Sequence, residues 1–127
     1  MPTLLSAARF VPDPYIWLDK DKGVLHMLRH TGRNTTGPSG NYGHHFFSTD
    51  FGLNWQRYEE VLAYPCNVTW TSGKSECMIM RERPHLVFGP QGEGPLALLT
   101  GAMRGPYQYP QWLNARSFTL LQNIAQQ

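Results

Sequence analysis

The pattern S-x-D-x-G-x-x-W, set by Ser48, Asp50, Gly52 and Trp55, constrains this chain more than anything else in it. It lies within residues 44–55 and predicts a tight hairpin between two strands. The Asp50 carboxylate can accept hydrogen bonds from turn amides, and Gly52 supplies a positive φ that a residue with a Cβ resists. Trp55 is expected to fold back over the turn, while the Phe46 side of the preceding strand enters the core. The device is structural. It fixes where two strands meet and carries no chemistry.

Around it the chain reads as β throughout. Short runs rich in Val, Ile, Phe, Tyr and Trp are punctuated by Gly, Pro, Asn and Asp, and no stretch sustains a helical period. Strands are expected over 15–18, 24–30, 44–48 and 53–58, four antiparallel strands ending just past the hairpin. In the second of them His26, Leu28 and His30 share a face. Between the second and third, residues 31–43 hold four glycines, a proline and two asparagines, so they read as a long loop. A second unit follows, with strands over 66–70, 75–80, 81–88, 96–100 and 117–121.

Two registers are open for the hairpin that carries Cys66 and Cys77. With Thr71-Ser72 as its turn, the cysteines face each other at a spacing that suits a disulfide. With Ser72-Gly73 as its turn, Cys66 faces Ile79 and the sulfurs lie on a diagonal, too far apart for easy bridging. The bridged form is the expectation.

The two halves also rhyme. Asp13-Pro14 and Glu82-Arg83-Pro84 each precede an apolar strand, a turn holding a glycine, and a second apolar strand. An acidic residue therefore opens each presumed unit, and both carboxylates could face one axial pocket.

Bulk properties narrow the function. A chain of 127 residues has room for one domain with a modest core. A net charge of +2 with no Lys/Arg cluster argues against a nucleic-acid partner. No apolar run approaches the roughly 20 residues that span a bilayer. The first residues lack the pattern of a signal peptide. The sequons at Asn34 and Asn67, together with the two cysteines, nevertheless favour a secreted glycoprotein whose upstream portion is not fully represented in this sequence.

The S-x-D-x-G-x-x-W pattern is the Asp box of sialidase-type β-propellers. Together with residues 11–17, 23–30 and 45–55, with Arg81-Glu82-Arg83-Pro84 and with Arg116-Ser117-Phe118-Thr119-Leu120, it makes the chain resemble secreted proteins related to two groups of five-bladed β-propeller glycoside hydrolases. These are the arabinanase/xylosidase family 43 and the invertase/levansucrase family 32. The resemblance implies an all-β, antiparallel propeller-type fold in which residues 1–127 form a single partial domain. Its blade-like units would span about 10–60 and 61–122, about two blades' worth, corresponding to the C-terminal part of such a propeller. It implies three channel carboxylates: a base or nucleophile, a modulating Asp and a general-acid Glu. Asp13 matches the Asp-Pro position and Glu82 the acid-bearing strand, while the third carboxylate has no counterpart. Missing blades or another chain would then complete the site.

Asp13 and Glu82 are thus the catalytic candidates for cleaving a glycosidic bond, one carboxyl protonating the leaving oxygen while another acts from across the sugar. His30, His45, Trp17 and Arg81 are the candidates for contacting substrate, with Trp70 and Tyr107 as further stacking surfaces. No cofactor is expected, although a channel His30 or His45 could reach a central cation such as calcium through water. There is no zinc-site spacing, and His44 and His45 must point to opposite faces of a regular strand. Two rivals stand beside the enzyme: a non-catalytic secreted glycan-binding or matrix module, and a purely structural assembly subunit.

Overall fold

Alternation decides the secondary structure, and every pairing is antiparallel. The computed structural model describes residues 13–30, 41–58, 61–105 and 117–124, so Asn34, Tyr107 and Arg116 lie outside the described residues. Strands β1 (Tyr15–Asp19), β2 (Val24–His30), β3 (Gly43–Ser48) and β4 (Gln56–Arg57) form one sheet in sequence order. Strands β5 (Asn67–Thr69) and β6 (Ser75–Cys77) form a hairpin, and β7 (Met80–Phe88), β8 (Pro95–Met103) and β9 (Ser117–Asn123) form a three-stranded sheet.

The β1–β2 turn is closed by the last residue of β1. Asp19 accepts the Asp21 and Lys22 amides on its Oδ1 at 3.1 and 3.2 Å, and its carbonyl accepts the Gly23 amide at 2.8 Å. The Asp-box turn is built the same way, from its own side chains. Ser48 Oγ, buried, donates to Asp50 Oδ1 at 2.7 Å and accepts the Gly52 amide at 2.9 Å. Asp50 then accepts the Asn54 amide at 2.9 Å and its Nδ2 at 2.6 Å. Gly52 has φ 89°, and Trp55 lies against it as the spacing requires. Because the turn runs on to Trp55, β4 is only two residues long and not the expected 53–58.

The second unit is not one four-stranded sheet. Met80 leaves the β5–β6 hairpin to begin β7, and β8 runs on through Gly101 to Met103, past the expected 96–100. The hairpin turn fits neither sequence register. Asn67 pairs with Cys77 and Thr69 with Ser75, which leaves a three-residue turn, Thr71-Ser72-Gly73, with Gly73 at φ 87°. Cys66 and Cys77 are then diagonal neighbours, yet their Cα atoms are 4.8 Å apart and the disulfide forms. The Cys66 carbonyl accepts the Met78 amide at 2.9 Å, so Cys77 lies one residue from the position opposite Cys66 and not two.

One face of the β7–β8–β9 sheet supplies both parts of the core. Leu86 and Leu98 pack on Leu28 of β2 and on Tyr64, flanked by Tyr15, Trp17 and Phe88. Ala102 and Leu120 pack on Val68 and Met78 of the hairpin. Side chains as buried as Val68 and Met78 contribute about 1.5–3 kcal/mol each. Tyr64 is locked by its neighbour in space: a Cβ at Gly43 would overlap the tyrosine ring.

Between these two parts lies Arg81, fully buried, which corrects its sequence-based assignment as a substrate contact. Its Nη1 donates to the Pro65 carbonyl at 2.6 Å, its Nη2 to Gln122 Oε1 and its Nε to Thr100 Oγ1 at 3.5 Å. The guanidinium lies 4.6 Å over the Tyr64 ring. The alternation that would turn Arg81 away from Glu82 turns it into the core, where protein oxygens take up its donors.

Candidate functional site

Strand parity puts Trp17, His26, His45 and Phe47 on the same face of the first sheet. There they condense into an aromatic wall. The Trp17 indole stacks on both imidazoles, with centroids 5.0 Å from His26 and 5.5 Å from His45. His26 Nδ1 and His45 Nε2 are 3.0 Å apart, a hydrogen bond with one proton between them. The Tyr58 ring packs on His45 at 4.6 Å and on Phe47 at 4.7 Å.

Beyond this wall the backbone opens a groove. Tyr58 donates its amide to the His45 carbonyl, and the chain returns to β3 where Ala63 donates to the Gly43 carbonyl and Gly43 to the Tyr64 carbonyl. Between these attachment points lies a hollow of about 650 Å³ lined by His45, Phe47, Gln56, Arg57, Tyr58 and the 61–63 segment. Val61 is 70% exposed and Tyr58 45%, so the groove offers apolar and aromatic surface to solvent beside an amide and a guanidinium.

Burial governs the electrostatics here. It lowers His45 to about 4, with the neighbouring His26 adding to the effect. His26 is lowered for the same reason, opposed by Asp19 and helped by Lys22. His44, on the other face, is lowered by burial and then by Arg57 and Arg29. Both imidazoles of the wall are therefore neutral at pH 7.

The expected catalytic pair lies elsewhere. Asp13 Oδ2 pairs with Arg83 Nε at 3.0 Å, an exposed contact across 70 positions of sequence. The Arg83 amide in turn donates to Nδ1 of the buried His30 at 3.4 Å. Asp13 and Arg83 both adopt left-handed backbone, φ 44° and 53°. Arg83 and Pro84 occupy the bulge where the β7–β8 register shifts between Glu82 and His85, which suits a proline that has no amide to give. Asp13 thus reaches the residue next to Glu82. Glu82 itself is the third residue of β7 and not its first, half-buried near Tyr64, whose hydroxyl donates to the Arg81 carbonyl at 3.3 Å. Neither Asp13 nor Glu82 lines the groove.

Of the sequence-derived contacts, Trp17 and His45 come together in the wall, His30 joins the Asp13–Arg83 group, and Arg81 is interior. Trp70 stands apart, donating Nε1 to Glu76 at 2.6 Å under the Arg104 guanidinium. His26, Gln56, Arg57 and Tyr58 were missed as site residues. Parity exposes the face of His26, but its meeting with His45 depends on the β2–β3 register, which a long loop leaves open. Among the described residues no three His, Cys, Asp or Glu side chains converge to hold a metal ion, and no helix is long and apolar enough to cross a membrane.

Comparison with known proteins gives no matching family model, no matching curated protein and no matching solved structure.

Proposed function

We propose that this chain is a secreted carbohydrate-binding module of propeller-type blade architecture, and that sugar binds in the groove beside His45 and Tyr58. The observation that carries the reading is the groove itself: aromatic faces of Tyr58 and Phe47 for the apolar side of a sugar ring, with Gln56 and Arg57 for its hydroxyls. The four-stranded sheet in sequence order, closed by an Asp-box turn, supports the blade assignment. The Cys66–Cys77 bridge and the exposed Asn67 sequon support an oxidising, secretory setting. Calorimetry with xylo-, arabino- and fructo-oligosaccharides tests the reading. Binding should weaken about fivefold or more in Tyr58→Ala, the loss of one aromatic contact. No binding to any of these, or binding that ignores Tyr58, would refute it.

A second reading is favoured by one contact. The Asp13–Arg83 pair carries one candidate carboxylate to the strand that holds the other. On this reading Asp13 and Glu82 serve glycosidic cleavage once further blades complete the channel. Hydrolysis of aryl-glycosides by a completed propeller, lost in Glu82→Gln, would move the assignment from binding to catalysis.

A further inference from the structure

The sugar reading uses the outer surface of the aromatic wall but leaves its proton unexplained. Two imidazole nitrogens 3.0 Å apart can share one proton, and there is no room between them for two. The neutral pair satisfies this with a single N–H between His26 Nδ1 and His45 Nε2. A first added proton can go to an outer nitrogen, His26 Nε2, and the bridge survives as a charge-assisted bond. A second must go to an inner nitrogen. Two N–H groups then point at each other and two cations share one site, so the rings must turn apart.

We propose that this bridge gates the groove by protonation: the wall keeps its shape until the histidine pair takes its second proton, and then releases the Tyr58 side of the groove. The proposal concerns regulation of the site assigned above and rests on that assignment only for the identity of the ligand. Tyr58 packs directly on His45, and Trp17 stacks on both imidazoles, so neither ring can rotate without moving the wall. Among the described residues, the charged groups facing the pair are few. Asp19 and Lys22, from the β1–β2 turn, act on His26 in opposite senses. Arg57 of β4 lines the groove, and His85 of β7 touches the wall's far end through Tyr15 at 4.3 Å. Of these, only Asp19 is acidic. With His45 held down to about 4, the gate acts in strongly acidic surroundings and stays shut to protons at neutral pH.

Ring-nitrogen NMR of the folded chain without ligand, from about pH 7.5 to about 3.5, reads the gate directly. His26 should protonate first with the bridge intact, and the Tyr58 ring resonances should shift together with the His45 step. Tyr58 resonances that ignore that step would overturn the proposal, as would one cooperative unfolding that carries both histidines. In a second arm, oligosaccharide affinity should fall about tenfold or more through the His45 step. It should stay flat in His45→Gln or, if that variant does not fold, in His26→Gln. Constant wild-type affinity through the step overturns the gate and leaves the sugar reading standing. A coupled Tyr58 shift with no oligosaccharide bound at any pH does the reverse.

Discussion

The Asp-box turn and the β7 bulge solve the same backbone problem with opposite resources. Each holds a non-glycine residue in left-handed conformation, Phe51 at φ 56° and Arg83 at φ 53°. The turn satisfies itself: Ser48, Asp50 and Asn54 supply its hydrogen bonds within seven residues of chain. The bulge depends on distant groups, with His30 accepting the Arg83 amide and Asp13 accepting its side chain. Local closure can be written in a short motif. Closure by remote partners cannot.

That contrast can be broken at several points. The largest effect is expected next to the bulge, at Arg81. Arg81→Ala empties a buried site and leaves the Pro65 carbonyl, Thr100 and Gln122 short of a donor, and should cost about 3–5 kcal/mol in denaturant unfolding. A smaller loss would mean that water or a neighbouring donor fills the space. Gly52→Ala comes next: φ 89° strains any Cβ, although the space around it is adequate, so about 1–2 kcal/mol is expected. Ser48→Ala removes the buried acceptor of the Gly52 amide, for about 1–2 kcal/mol, and should leave oligosaccharide binding unchanged when measured below the melting point.

Asp50 adds a pH signature. Hydrogen bonds from Asn54 first, and then from Ser48, hold its carboxyl down to about 2. A carboxyl lowered on folding stabilises above its unfolded value, and that stability fades as pH falls from about 4 towards 2. Asp50→Ala should flatten the melting temperature across that window. The smallest effect belongs to the bulge surface. Arg83→Gly relieves the left-handed strain while losing an exposed ion pair, a net change of about 0–1 kcal/mol in either direction. A large loss there would show that the Asp13 contact matters more than its exposure suggests.

The same contrast explains what could be read from the residues alone. Burial alternates cleanly along β1, whereas β2 buries the adjacent Met27 and Leu28 and β3 buries Gly43 and Phe46 from both faces, so those two strands were located by their apolar runs and flanking turn residues. The Asp box gave its turn because its partners are neighbours in sequence. The β5–β6 register escaped because three small residues at the turn permit several loops, and only Gly73 in left-handed backbone selects the one adopted. Arg81 was misjudged for a related reason. A charged residue in an alternating strand says which way it points, not what awaits it, and here three oxygens from residues 65, 100 and 122 await it. The His26–His45 meeting was hidden for the same cause, across the long β2–β3 connection.

Sequential pairing in the first sheet also bears on how the molecule is made. Every strand partner of β1 to β4 lies within residues 15–57, so that sheet needs no residue of β7 to β9 for its own pairing. The Tyr64 ring must then dock on Gly43, and Arg81 must find Gln122 last of all. The contacts thus run from hairpins closed within a few residues to a bond across 41 positions. A chain interrupted past Arg57 would hold every strand of the first sheet but lack the Tyr64, Leu86 and Leu98 side chains that cover Leu28.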